Sequence, residues 1–146
     1  MNAENYMKIE FPARSVNEGY ARAAVAAFVS QLDPTLAELG DIKTAVSEAV
    51  TNAVVHAYPD EIGTIHIRAR ILPDSVLELV VKDHGVGIAD VERARTPLYT
   101  TGGSERSGMG FTIMESFMDK LRVRSSPGKG TTVVMQRSIR LRVGKR

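Results

Sequence analysis

The sequence contains no cysteine. That excludes disulfides, thiolate metal sites and a cysteine nucleophile. Its three histidines, His56, His66 and His84, are scattered and form no zinc-ligand pattern. No run of about 18 apolar residues occurs, so no membrane-spanning helix is expected. Residues 1–11 lack a basic stretch followed by an apolar one, so no signal peptide is expected either. A cytoplasmic location away from membranes fits. A large excess of one charge is missing too: 19 basic against 17 acidic residues give a net +2, too balanced to predict nucleic-acid binding. The surplus gathers at the end, in Arg137, Arg140, Arg142, Lys145 and Arg146, and reads as a solvated tail. No Gly-x4-Gly-Lys-Ser/Thr run exists, so a P-loop is excluded.

The 146 residues (15.9 kDa) are 43% hydrophobic and 25% charged. Those values suit one soluble domain over residues 1–146, large enough for a real core. No internal repeat or low-complexity segment interrupts it. Residues 7–11 alternate apolar and polar, as a short strand does. Ser15 and Glu18 have the spacing of a capping box for a first helix, and Ala21, Ala24, Val25, Phe28, Val29 and Leu32 follow at helical spacing. Asp33-Pro34 ends that helix and starts a second, expected over about residues 34–57 and stopped by Pro59. Residues 64–71 and 76–82 read as a hairpin around Pro73-Asp74-Ser75, and the first of these strands has one wet face.

The stretch 83–110 differs, with six glycines and at most a short helix near residues 90–95. A long irregular connection inside a compact domain is often functional. A third main helix follows, marked by Phe111, Ile113, Met114, Phe117 and Met118. Residues 121–125 and 131–137 make a final hairpin. Partly segregated helices and strands predict an α+β fold: a two-layer sandwich with a mixed, mostly antiparallel sheet and helices on one face.

Three places carry chemistry. Glu48, Asn52 and His56 are spaced i, i+4 and i+8 on nearly one helical face, a spacing that would equally serve a solvated face. Asp83-His84-Gly85-Val86-Gly87 puts a carboxylate at a strand end before glycines. This is either a tight turn or a place where a carboxylate meets a base while backbone approaches closely. Ser107-Gly108-Met109-Gly110 exposes backbone N–H groups directly before a helix, where anions bind readily.

In order, Glu48-x-x-x-Asn52, Asp83-x-Gly85-x-Gly87, Gly108-x-Gly110 and Gly130-Thr131-Thr132 resemble the GHKL (Bergerat-type) nucleotide-binding family of gyrase, histidine kinases and MutL. The resemblance implies ATP or ADP with Mg²⁺ as cofactors. It implies that Asn52 is the Mg²⁺ ligand and that Asp83 accepts a hydrogen bond from the adenine amino group. Gly85 and Gly87 would lie beneath the nucleotide, Thr131 near adenine, and Thr100, Ser107, Gly108 and Gly110 at the phosphates. Residues 90–107 would form a lid. Arg106 in it either offers charge to the γ-phosphate or is solvated. Glu48, one turn from Asn52, would take the proton of an attacking hydroxyl.

Residues 48–56 and 106–119 also look like the anti-sigma factor serine kinases of endospore-forming bacteria. That resemblance implies a homodimer with two partners. One is an RNA polymerase sigma factor, expected to be the sporulation sigma-F. The other is an anti-anti-sigma factor that the chain phosphorylates on serine. Asn17, Glu18 and Arg22 on the first helix are candidate partner contacts or plain solvated residues. Two readings compete: a partner-binding module that holds ATP without transferring phosphate, and a detached histidine-kinase-like catalytic domain. Ala57 stands where such chains often have glycine, and Gly102-Gly103 loosen the expected lid.

Overall fold

Every second side chain of a strand points to the same side of its sheet, so apolar–polar alternation fixes which residues form a core. In the computed structural model, which describes residues 2–96 and 110–139, five strands form one sheet. They are β1 (Asn5–Pro12), β2 (Thr64–Leu72), β3 (Val76–Asp83), β4 (Lys120–Ser126) and β5 (Gly130–Ser138), in the order β1-β2-β3-β5-β4. All four pairings are antiparallel. Helices α1 (Asn17–Val29), α2 (Leu36–Asn52) and α4 (Gly110–Phe117) cover one face, and a single turn, α3 (Val91–Ala94), lies in the β3–β4 connection. This is the expected α+β two-layer sandwich, with the sheet antiparallel throughout rather than mixed. Among the described residues, no helix is long and apolar enough to cross a membrane.

Ile65, Ile67, Ala69, Leu77, Leu79, Val81, Val133 and Met135 point from the sheet towards the helices and are buried. They meet Ala21, Val25 and Val29 of α1, Ile42, Val46 and Val50 of α2, and Phe111 and Met114 of α4. Burying one such aliphatic side chain contributes about 1.5–3 kcal/mol. Rotating α2 would expose three of them, so the core fixes which residues α2 turns towards its rim. Glu48 and Asn52 are among those, half-buried.

Local details differ from expectation at two helix starts. Ser15 and Glu18 do not form a capping box; Val16 precedes α1 without any side-chain cap bond. Glu18 instead accepts from Arg22 Nη1 at 2.8 Å and Ser47 Oγ at 2.6 Å. A charge-assisted tie between α1 and α2 outweighs a neutral cap. The capping box sits at Thr35 and Glu38, where both reciprocal bonds form (3.0 and 2.8 Å). The second helix therefore starts at Leu36 rather than Pro34, after Asp33 turns left-handed (φ 52°). It also stops being α-helical at Asn52: Ala53–Ala57 is a turn of π-helix. The short helix near residues 90–95 is α3, capped by Asp90, which accepts from Arg93 N at 3.0 Å. Thr100, Gly102, Gly103, Arg106, Ser107, Gly108, Arg140, Arg142, Lys145 and Arg146 lie outside the described residues.

Candidate functional site

Alternation along β3 sends Leu77, Leu79, Val81 and Asp83 to the helix side. The first three are core. The fourth stands at the strand end, where the core opens into a cleft of about 930 Å³, within the range of small-molecule sites. Of the residues singled out from sequence, Glu48, Asn52, His56, Asp83, Gly87, Gly110 and Thr131 all line it. Residues 83 positions apart in the chain, from Glu48 to Thr131, thus reach one cavity. Gly85 is not on the wall and acts from behind.

Asp83 is only 6% exposed. Its Oδ1 accepts from the backbone N–H of Gly85 at 2.9 Å and of Thr131 at 3.2 Å. Both bonds fall on Oδ1, and among the described residues Oδ2 takes none. That leaves Oδ2 as the oxygen for a donor in the cleft. Burial pushes the carboxyl above its ordinary 3.8, and the two backbone N–H bonds and His84 offset only part of that rise. A desolvated carboxylate with one oxygen pinned and one open is a directional acceptor, and a ligand N–H is its natural complement.

The loop after β3 is stitched to both neighbours. Val86 N donates to the Ala57 carbonyl at 2.9 Å, and Gly128 N donates to the Val86 carbonyl at 2.7 Å. A Cβ on Gly85 would strike the Ala57 carbonyl, and one on Gly87 (φ 78°) would strike the Ser126 carbonyl. Only glycine permits these approaches. The π turn that follows α2 ends at Ala57, so the widened turn and the glycine loop share one contact, and π turns recur at functional sites.

Two residues here were not picked out from sequence. Ser125 accepts from Ile88 N at 2.7 Å and donates to the Gly130 carbonyl at 2.9 Å. Its oxygen also lies 2.8 Å from Thr131 Oγ1. With the Ser125 proton on Gly130, Thr131 donates that shared bond and keeps its oxygen as an acceptor. A hydroxyl on the inward parity of β4, in line with Leu121 and Val123, was the available signal. Tyr58 is buried, donates to the Thr64 carbonyl at 2.8 Å and accepts from His84 N at 2.7 Å. It is a strut between the end of α2 and the strand ends beside Asp83.

On the helix side, Asn52 closes α2 and Gly110 opens α4. A Cβ on Gly110 would come within 2.9 Å of Asn52 Oδ1, so the missing side chain keeps the Asn52 amide clear. No cluster of three or more His, Asp or Glu able to hold a metal exists among the described residues. Any cation at Asn52 would need further oxygens from a ligand and water, which is how Mg²⁺ is commonly held.

Comparison with known proteins agrees with this fold. A family model described as a histidine kinase-like ATPase domain matches residues 11–137. The anti-sigma F factor of Caldanaerobacter subterraneus subsp. tengcongensis is 56% identical over 140 residues, covering 95% of this chain and 97% of the relative. That of Pasteuria penetrans is 59% identical over 133 residues, covering 90% and 89%. Among solved structures, the RsbU and RsbW domains of Rv1364c from Mycobacterium tuberculosis superpose with a TM-score of 0.70 at 19% identity, over 97% of this chain and 34% of that one. The likeness in fold reaches further than the likeness in sequence. An ATPase domain implies nucleotide binding. The chain belongs to the histidine kinase-like ATPase family and, within it, to the anti-sigma F factors.

Proposed function

We propose that this chain is an ATP-dependent protein serine kinase that also binds a sigma factor and keeps it from RNA polymerase. The observation that carries the proposal is Asp83: a buried carboxylate held by two backbone N–H groups, in a cleft that Glu48 and Asn52 also line. Adenine presents an amino group to Oδ2, whereas guanine presents a carbonyl there and two acceptors repel. Thr131 adds a second polar contact beside Asp83. Asn52 would hold Mg²⁺ through its amide oxygen. The bound ion supplies charge neutralisation at the phosphates.

Glu48 lies one turn before Asn52, about 6 Å along the helix axis. From there it takes the proton of an incoming serine hydroxyl. The serine oxygen bonds to the γ-phosphorus as the bridging bond to the β-phosphate breaks. ADP leaves and the protein substrate carries phosphoserine. By resemblance, Thr100, Arg106, Ser107, Gly108 and Gly110 complete the phosphate side. The substrate is an anti-anti-sigma factor, the other partner is sigma-F, and the active form is a homodimer. The names of the relatives support the sigma-factor partner.

The test is incubation with labelled ATP, Mg²⁺ and candidate antagonist proteins, followed by phosphoamino-acid analysis. Acid-stable phosphoserine on the antagonist is expected. Acid-labile phosphate would point to histidine transfer, and nucleotide binding without any transfer to a binding module. Sedimentation of the nucleotide-bound chain checks the dimer.

A further inference from the structure

The sheet face away from the helices carries a charge pattern that the net +2 conceals. Across the five strands the middle register row reads Lys8, Arg68, Val80, Val134, Arg122. The row at one end adds Arg70, Glu78 and Lys120, and the row at the other adds Glu10, Lys82 and Arg124. This face therefore holds seven cations and two carboxylates, +5 with histidine neutral, which leaves the rest of the chain at −3. One of the two carboxylates is already committed. Glu78, 8% exposed, is bound by Arg70 at 2.6 Å and by Gln136 at 3.1 Å, with Arg68 at 3.7 Å. Arg68 meets Glu78 only at that longer distance, and its Nε is buried and makes no hydrogen bond.

We infer that the outer sheet face is a docking surface for an acidic segment of a protein partner, with an aliphatic side chain of that segment seated over the half-buried Val80. Strands lie about 4.8 Å apart and alternate residues along one about 6.8 Å apart. The cations around the two valines are thus spaced for carboxylates on neighbouring side chains of an extended segment. The chemistry favours protein over nucleic acid. Its centre is aliphatic, and the two rings on this face, Tyr6 and His66, stand in opposite end rows and form no continuous platform on which bases would stack. A second copy seated on it would set +5 against +5. The chain's own last residues, 140–146, carry only cations and supply no counterpart. The surface is on the opposite side of the sheet from the cleft, so the inference stands apart from the nucleotide chemistry.

The test uses the full chain and a fluorescent extended peptide of alternating Glu and Val, followed by anisotropy at low and at physiological salt. A Lys–Val peptide and a single-stranded DNA oligonucleotide of matched charge serve as comparisons. Expected is saturable binding of the acidic peptide alone, weakened about tenfold by Arg122→Glu with Lys8→Glu and weakened by salt. Arg122→Lys should retain most of it. ATP affinity of each variant, unchanged, separates loss of docking from loss of fold. No saturable binding of the acidic peptide, or binding indifferent to the two reversals, would overturn the inference. So would tighter binding of the oligonucleotide, or a self-association in sedimentation that the reversals abolish, since each names a different occupant.

Discussion

The backbone N–H of Thr131 on β5 points at Oδ1 of Asp83 on β3, 3.2 Å away. The two residues lie 48 positions apart in sequence. Their bond fixes the rotamer of the carboxylate and therefore the direction of its open oxygen. Asp83→Asn keeps an oxygen for both backbone donors but can turn its NH₂ towards an adenine amino group, placing donor against donor. Losing a buried polar match of this kind costs about 1–3 kcal/mol. ATP affinity should fall about 5- to 150-fold by calorimetry, with the circular dichroism spectrum unchanged.

The same substitution should act on stability in the other direction. The folded-state pKa of Asp83 is raised above its ordinary 3.8 because burial disfavours the charge. The folded chain therefore holds that proton more tightly than the unfolded one. What the carboxyl contributes to stability is present below 3.8 and is lost as pH rises through the folded-state pKa. Urea unfolding of the nucleotide-free protein at a series of pH values should show Asp83→Asn gaining on the native chain from acid pH upward, then levelling. A flat or falling difference would contradict a buried, desolvated carboxylate.

Glu48 and Asn52 are separable because one is assigned to chemistry and the other to the metal. Glu48→Gln should leave ATP affinity unchanged and slow phosphoryl transfer by about a hundredfold to ten-thousandfold, the usual worth of a positioned base. Asn52→Ala should leave metal-free nucleotide binding unchanged and remove the gain in affinity that Mg²⁺ confers. Titrations with and without Mg²⁺, run beside single-turnover transfer, distinguish the two. Undiminished transfer by Glu48→Gln would end its role as base.

Tyr58 bridges Thr64 and His84 with one hydroxyl. Tyr58→Phe keeps the ring in its buried place and leaves the His84 N–H and Thr64 carbonyl to find water. A cost of about 1–2 kcal/mol is expected, read as a Tm lower by roughly 2–8 °C. Nucleotide affinity should weaken too, because the strut holds the strand end that carries Asp83. A stability loss without any change in affinity would show that the strut braces only the fold.

Much of this molecule is written in local patterns. The strands follow from alternation, and Asp83 was marked by its place at a strand end before two glycines. What escaped depends on partners distant in sequence. Ser15-x-x-Glu18 and Thr35-x-x-Glu38 carry the same capping signal, yet only the second becomes a cap, because Ser47 and Arg22 claim Glu18. The π turn at Ala53–Ala57 ends where the Ala57 carbonyl meets Val86 N, a contact no helical periodicity reports. Ser125 matters through Ile88, 37 residues away. The cationic sheet face was hidden because charges summed along the chain cancel, whereas charges sorted by face do not.

In the proposed function, Asp83 reads the amino group of adenine in the cleft beside Asn52. Calorimetric titration of the native chain with ATP and with GTP, both with Mg²⁺, tests it most directly. ATP should bind more tightly by about tenfold or more, with the preference lost in Asp83→Asn. Equal affinity of the native chain for the two nucleotides would contradict it.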